Sequence, residues 1–131
     1  MTDLIATYYE FWNTAVTFED GYLPFFNEQL IPTETPFPYG TFSANRNDAF
    51  ANGLDIVRIW TKSTNLMQLS ELLDRIETAI PNSGVTLFLP ENKGALRLFR
   101  GLPFIQRQPM PEVERDIQVG YINVETRSYI Y

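Results

Sequence analysis

The chain has 131 residues, 44% of them hydrophobic, which suits a single domain with a real core and excludes a disordered chain. It contains no cysteine and no histidine, which excludes disulfides, thiolate metal sites and every Ser-His-Asp or Cys-His catalytic arrangement. Its formal net charge of −6 argues against tight binding of a nucleic-acid backbone, which needs clustered Lys and Arg.

The first predicted element is a helix over residues 3–16. Apolar side chains recur in it at spacings of three and four residues, so they share one face. These side chains are Leu4, Ile5, Tyr8, Phe11, Trp12 and Ala15. A turn is predicted at residues 19–21, and the aromatic run that follows contains Pro24, which favours one short edge strand near residues 23–30.

Two strands are predicted in the middle of the chain, at residues 37–43 and 54–62. In the first, Gly40 indicates a bulge or the close approach of another segment. In the second, Asp55, Val57 and Ile59 face one side, whereas Leu54, Ile56, Arg58 and Trp60 face the other. Neither strand has a purely polar face. We therefore expect this sheet to lie between two layers or to pack against a partner, such as another copy of the chain.

The clearest predicted helix spans residues 65–80. Its apolar stripe consists of Leu66, Leu69, Leu73, Ile76 and Ile80. On its polar side, Glu71 and Arg75 are expected to form a favourable pair across one turn. Pro81 ends the helix because proline lacks the backbone N–H and clashes with the preceding turn.

The last third of the chain is predicted as strands joined by turns. Residues 85–89 and 95–100 form two strands across a hairpin connection, and residues 116–124 form the last strand. Three prolines within residues 101–114 favour a loop or an extended arm, and residues 128–131 form an apolar tail. The predicted fold class is therefore α+β, with a mainly antiparallel sheet of four to six strands and two helices packed on one face.

Paired carboxylates are the catalytic chemistry that this composition leaves open. Asp48 and Asp55 lie close in the sequence, as do Glu112, Glu114 and Asp116. Glycosidase-type chemistry needs two carboxyl groups across a cleft, and nothing in the sequence indicates one, so solvated or loop-capping acids are the simpler interpretation. Neither the ligand spacing of a calcium loop nor a glycine-rich phosphate motif occurs. We therefore predict no catalytic, cofactor-binding or metal-binding residues.

Three residues are the candidates for contact with another subunit or a partner: Trp60, Phe104 and Met110. Trp60 lies near the end of a strand whose two faces are both apolar. The other two lie in the proline-rich stretch, where few core positions are expected. The alternative is that these side chains fold back onto the chain's own core as a satellite cluster.

Arginines form the one basic patch that the sequence indicates, at Arg97, Arg100 and Arg107. If the strand is regular, Arg97 and Arg100 lie on its opposite faces, because side chains alternate along a strand. Salt bridges to a neighbouring protein or to the chain's own acids are the simpler interpretation of this patch. A specific nucleic-acid site is the less favoured one.

In its order of elements the chain resembles the tail terminators, or tail-to-head joining proteins, of long-tailed bacteriophages. The resemblance is carried by the N-terminal helix, the Pro-framed aromatic strand at 36–43, the strand at 54–60, the helix at 65–80, the Arg-flanked strand at 96–100 and the closing strand at 116–124. It covers nearly the whole chain. The chain departs from the family pattern at residues 17–35 and 101–114, so contacts made there do not carry over.

The resemblance implies a structural virion protein and no enzyme. It implies a hexameric ring at the head-tail neck, which stops growth of the tail tube and joins the tail to the head connector. The implied partners are further copies of the chain, the tail-tube protein and the head-completion or connector protein. Genomic DNA would pass through the lumen without specific binding, which an acidic protein favours because like charges repel.

We expect no cofactor and no membrane partner. The first residues lack the pattern of a signal peptide and no apolar run is long enough to span a membrane, so assembly in the host cytoplasm is expected. Two alternative functions stay open. One is another neck component, such as a head-completion or stopper protein. The other is a small-molecule-binding or enzyme-accessory α+β domain, which would need a concave apolar pocket with a few convergent polar groups.

Overall fold

Two helices and eight strands make up the part of the chain that the computed structural model describes, which is residues 2–43, 52–62, 66–109 and 117–131. Helix α1 (Thr2–Ala15) leads into a small hairpin of β1 (Thr17–Phe18) and β2 (Gly21–Tyr22). The main sheet contains β3 (Phe25–Asn27), β4 (Tyr39–Phe42), β5 (Asn52–Lys62), β6 (Val85–Phe88), β7 (Gly94–Pro109) and β8 (Ile117–Ile130). Helix α2 (Leu66–Ala79) follows β5, and a short 3₁₀ helix (Pro90–Asn92) joins β6 to β7. The predicted α+β class is confirmed.

The strand order across the main sheet is β3-β4-β5-β8-β7-β6, and each pairing is antiparallel except that of β3 with β4. The longest regular ladder joins β5 to β8, from Asn52 opposite Arg127 to Lys62 opposite Ile117. Because side chains alternate along a strand, this register decides which residues share a face of the sheet. Val57 and Ile59 belong to the face that packs against both helices.

The opposite face of the sheet is called the helix-free face below. Its exposed and half-buried members are Phe26 of β3, Tyr39 of β4, Leu54, Ile56, Arg58, Trp60 and Lys62 of β5, Thr86 and Phe88 of β6, Arg97, Phe99 and Gln106 of β7, and Tyr121, Asn123, Glu125, Arg127 and Tyr129 of β8. Neither α1 nor α2 packs on this face. The layer arrangement thus leaves this side of the sheet without a helix layer among the described residues, although Thr41, Ile117 and Val119 near Trp60 are buried.

The core lies between the helices and the other face of the sheet. It contains Leu4, Tyr8 and Trp12 of α1, Leu69, Leu72, Leu73 and Ile76 of α2, and Val57, Ile59, Leu96, Leu98, Ile122 and Val124 of the sheet. Among the described side chains the predicted inward stripes of both helices are confirmed except at Ile5, which is exposed, and the side chain of Leu66 lies outside the described part. Burial of such side chains is the main stabilising contribution to a domain of this size, at about 25 cal/mol per Å² of apolar surface.

Two glycines mark close approaches between elements. A Cβ atom on Gly40 would overlap the ring of Phe25, so the predicted close approach at Gly40 is confirmed, and β3 is the segment that approaches. A Cβ atom on Gly120 would lie 2.9 Å from Cδ2 of Leu73 and 3.2 Å from Cδ1 of Leu69. A side chain at residue 120 would require Leu69 and Leu73 to shift, so glycine favours the close packing of α2 on β8.

The prediction of a loop or extended arm at residues 101–114 is wrong for residues 101–109. These residues continue β7, which pairs with β8 as far as Pro109 opposite Gln118. The ladder is interrupted between Arg100 and Ile105, and Pro103 falls within that interruption. Proline is tolerated at such an irregularity because no ladder hydrogen bond is lost there.

The predicted boundaries of other strands also need correction. Strand β8 does not end at residue 124 but continues to Ile130, opposite Gly94, so residues 128–130 are not a free tail. The edge strand expected near residues 23–30 is present but short, and it runs parallel to β4. Long-range pairing determines all these limits, and local residue patterns do not encode it.

Candidate interaction surface

One end of the helix-free face carries an aromatic cluster built around the predicted contact residue Trp60. The ring of Trp60 stacks on Tyr39, with 6.3 Å between centroids, and its indole N–H donates a hydrogen bond of 3.1 Å to Oγ1 of Thr41. Nearby, Nζ of Lys62 lies 4.6 Å from the centroid of Phe37. Partial burial raises the pKa of Tyr39. Trp60 is thus held in a fixed position and remains half-buried.

The other end of the helix-free face carries two arginines around one aromatic ring. Arg97 and Arg127 are directly opposite each other on β7 and β8. Their guanidinium carbons lie 4.7 Å and 5.2 Å from the centroid of Phe99. Arg127 has one carboxylate nearby, that of Glu125 at 4.0 Å, and Nε of Arg97 is buried with no hydrogen-bond acceptor among the described residues. This arginine pair, defined as Arg97 and Arg127, therefore retains unused donors.

Exposed apolar side chains surround the arginine pair. Leu54 and Ile56 lie on β5 on the same face, and Phe88 and Tyr129 form the neighbouring cross-strand row with Ala95 between them. Phe88 is 73% exposed. Aromatic and arginine side chains next to aliphatic ones are typical of the buried centre of protein interfaces.

The other predicted contact residues lie elsewhere. Phe104 packs against the chain's own core, and the guanidinium carbon of Arg100 lies 4.6 Å from its ring centroid. This is the satellite packing that the sequence left open, and a role of Phe104 in a partner interface stays a prediction. Met110 lies outside the described residues.

Arg100 belongs to the helix side of β7 and has a structural role. Its Nε donates to the carbonyl of Ile80 at 2.7 Å, and its Nη2 donates to the carbonyl of Glu77 at 2.9 Å. Its Nη1 donates to Oδ1 of Asn82 at 2.9 Å. Arg100 thus satisfies carbonyl groups at the C-terminal end of α2, where a positive charge is also favourable. The predicted opposite orientation of Arg97 and Arg100 is confirmed, and the arginines do not form one patch.

Replacing Arg100 with lysine should therefore lower the free energy of unfolding by about 1–2 kcal/mol, because an ammonium group cannot serve three acceptors in this fixed geometry. Urea denaturation of both proteins would measure the difference. The matched control is Arg97→Lys, which should change stability by less, since Arg97 makes no hydrogen bond among the described residues. Equal effects of the two substitutions would contradict the capping role.

Asp55 is a buried carboxylate that ties three segments together. It accepts hydrogen bonds from the hydroxyl of Tyr8, from the backbone N–H of Ser43 at 3.0 Å and from Oγ of Ser43 at 2.6 Å. Burial, and secondly the charge of Asp55, raise the pKa of Tyr8 well above 10.0. Of the carboxylates considered for catalysis, Asp48, Glu112, Glu114 and Asp116 lie outside the described residues. Of the two interpretations that the sequence left open, solvated or loop-capping, Asp55 fits the second, since it is buried and caps the backbone next to β4.

Arg75 does not form the predicted pair with Glu71. Its Nη1 donates instead to the carbonyl of Thr17 at 2.8 Å, which joins α2 to the β1–β2 hairpin. Glu71 is exposed and has no ion pair within the described part of the chain. The carbonyl of Thr17 lies far away in the sequence, so this competing acceptor could not be predicted from helix spacing.

Two grooves lined by described residues border α1. The one next to β3 has a volume of about 280 Å³ and is lined by Ile5, Tyr9, Phe26, Asn27, Leu30 and Phe42. The one next to β6 has about 340 Å³, is wide open and is lined by Thr7, Glu10, Phe11, Thr14, Thr86, Leu87 and Phe88. Ligand sites for small molecules combine a well-enclosed apolar cavity with convergent polar groups, which these shallow grooves do not offer.

Neither a metal centre nor a membrane span is found in the described ranges. No group of three or more Asp or Glu side chains there could hold a metal ion. No helix in the same ranges is long and apolar enough to cross a lipid bilayer. Comparison of the chain with protein-family models, with curated proteins and with solved structures finds no match.

Proposed function

We propose that this protein is a structural component of a bacteriophage particle that assembles into a ring, with six copies expected, at the head-tail neck. There it ends the growth of the tail tube and joins the tail to the head connector, and the genomic DNA passes through the lumen. The proposal combines the resemblance in element order with the composition of the helix-free face. No catalytic step is part of it.

The observation that carries the proposal is the uncovered helix-free face. An antiparallel sheet with one face in water normally shows polar side chains on that face. Here Leu54, Ile56, Phe88 and Tyr129 are exposed on the face among polar side chains, and the guanidinium groups of Arg58 and Arg97 lie near aromatic rings. Such a face is stabilised when another protein surface covers it, because apolar area is then removed from water.

A ring needs two different contact surfaces on each copy. The outer side of the helices and the helix-free face lie on opposite sides of this two-layer domain. Contacts between two unlike surfaces are head-to-tail contacts, which close into rings when the rotation between copies permits. The architecture therefore supports ring formation more directly than a two-fold dimer.

The charge of the chain supports the passage of DNA through the ring. A net charge of −6 disfavours capture of phosphate groups, since like charges repel. Arg58 is paired with Glu28 at 2.8 Å, and Arg100 is bonded to α2, so these two cations are engaged within the chain. DNA could then slide past the protein without binding tightly.

Loss of this gene from its phage should give tails that are over-long or that remain unjoined to heads, because nothing stops the tail tube. Negative-stain electron microscopy of the lysate would measure tail length. Complementation with the Leu54→Glu, Ile56→Glu variant should fail, since charges would be placed on the contact face. Complementation with Glu10→Gln, an exposed change on α1, should succeed.

The same experiment separates the alternatives. Tails of normal length that accumulate without heads would assign the protein to another neck component, such as a head-completion or stopper protein. Normal particles in the absence of the gene would overturn the proposed function at the head-tail neck.

A further inference from the structure

The arginine pair has little balancing charge among the described residues. Like charges directly opposite each other on neighbouring strands destabilise a sheet. Arg97 and Arg127 occupy such positions, and within the described ranges the one carboxylate near them is that of Glu125, at the 4.0 Å limit of an ion pair. Phe99 holds both guanidinium groups in place, so their N–H edges are fixed before any partner arrives. A fixed guanidinium group is suited to paired hydrogen bonds with a carboxylate.

Helix α2 carries the complementary charges on its outer side. Glu71, Asp74 and Glu77 recur every three residues, all three are exposed, and none forms an ion pair within the described residues. These three residues are called the acidic stripe below. Arg75 lies beside them, but its guanidinium group is bonded to the carbonyl of Thr17. At the start of the same helix Met67 is 67% exposed, which adds an apolar group to this outer side.

We propose that the arginine pair of one copy binds the acidic stripe of α2 on a neighbouring copy. The inference deepens the proposed ring and rests on its self-association. The charges of the two surfaces are opposite, and the surfaces lie on opposite sides of the domain, so the contact is head-to-tail. It also places a helix on an uncovered sheet, which is the layer packing that such sheets adopt within domains.

The neighbouring apolar residues fit the same contact. Leu54 lies one cross-strand row from the arginine pair and Ile56 two rows from it, and Met67 lies at one end of the helix that carries the acidic stripe. A protein surface can cover both the charged and the apolar groups, whereas a nucleic-acid backbone would leave the apolar groups in water. The net charge of −6 also opposes the approach of a polyanion.

The test is a charge exchange between two variants. In sedimentation equilibrium at low salt, the wild type should self-associate, and about 1 M NaCl should weaken this strongly, because the Debye length falls to about 3 Å. The variant Arg97→Glu, Arg127→Glu and the variant Glu71→Lys, Asp74→Lys should each associate at least about tenfold more weakly. An equimolar mixture of the two variants should recover association, since each contact between unlike variants is again complementary.

The matched control is Glu10→Lys, Glu34→Lys, which changes the net charge as much as the α2 variant does. Both acids are exposed and lie away from the acidic stripe, so this variant should associate like the wild type. Circular dichroism melting curves should show that all four proteins are folded. If a reversal variant fails to fold, the single substitutions Arg127→Gln and Asp74→Asn take its place, each with a smaller loss expected.

Two outcomes overturn the inference. One is a wild type that stays monomeric at low salt up to its solubility limit, and the other is a mixture of reversal variants that does not associate. The proposed neck function is tested separately by tail length in the phage. Over-long tails together with a monomeric wild type would keep the function and reject this contact. Salt-sensitive association together with normal tails would keep the contact and reject the function.

Discussion

Replacing Asp55 with alanine should lower the free energy of unfolding by about 3–5 kcal/mol, since each buried donor left without its charged acceptor costs about 1–3 kcal/mol. Asp55 is 5% exposed and is the acceptor for Tyr8 and for two groups of Ser43. Its loss would release the contact between α1, β5 and the end of β4. Urea denaturation followed by circular dichroism would measure the change.

Tyr8→Phe is the matched control for Asp55→Ala. It removes one donor and leaves the carboxylate bonded to Ser43, so a smaller loss of about 1–3 kcal/mol is expected. If Asp55→Ala costs no more than Tyr8→Phe, the bonds to Ser43 contribute nothing and the assigned role of Asp55 is wrong.

The contact between Tyr8 and Asp55 predicts that the stability of the protein falls at alkaline pH. The pKa of Tyr8 is raised well above 10.0 in the folded protein, first by burial and then by Asp55. The neutral form is thus favoured by folding, so its contribution is complete below pH 10 and is lost as the pH rises through the folded pKa. The wild type should therefore lose stability above pH 10 more steeply than Tyr8→Phe. Parallel curves for the two proteins would contradict this assignment.

Replacing Trp12 with alanine should also destabilise the protein by about 3–5 kcal/mol, the cost of a large cavity in a packed core. The side chain of Trp12 is fully buried and contacts the rings of Tyr8, Phe11 and Phe25. Thermal and urea denaturation would measure the loss. The matched control is Phe88→Ala on the helix-free face, which should change the stability of the monomer by less than about 0.5 kcal/mol.

Trp12→Ala and Phe88→Ala also distinguish aromatic residues of the core from aromatic residues of the proposed interface. Aromatic side chains, which make up 15% of this chain, suit a buried core and a protein interface alike. If Phe88→Ala instead melted far below the wild type as a monomer, its exposed ring would have a structural role, and the helix-free face would lose one of its contact residues. Unchanged stability with weakened self-association would support the interface.

The buried faces of α2 and β5 were predicted well because the periodicity of helices and strands determines which residues share a face. The stripe of Leu69, Leu73 and Ile76 fixed both the presence of α2 and the face it buries, since a helix brings positions three and four apart together. The alternation of Val57 and Ile59 with Ile56 and Trp60 likewise fixed the two faces of β5. The uncovered sheet face follows from that alternation.

The candidate contact site was predicted only in part. Trp60 was found because both faces of its strand are apolar. Arg127 was missed, since nothing in the sequence near it shows that it lies opposite Arg97. Arg97 and Arg100 were grouped because they are close in sequence, and their predicted placement on opposite faces of the strand is confirmed. The sequence signal that could have found Arg127 is the continued alternation from Glu125 to Tyr129.

By itself the sequence determined the α+β class, the two helices, the buried faces and the absence of His and Cys chemistry, because composition and short-range periodicity encode these properties. Only the tertiary structure decided that residues 101–109 form a paired strand, that β3 runs parallel to β4 and that Asp55 serves Tyr8 and Ser43. Each of these depends on partners distant in the chain. Hydrogen bonds between segments that are distant in the sequence form only when the whole sheet assembles. No local pattern of residues can therefore specify them.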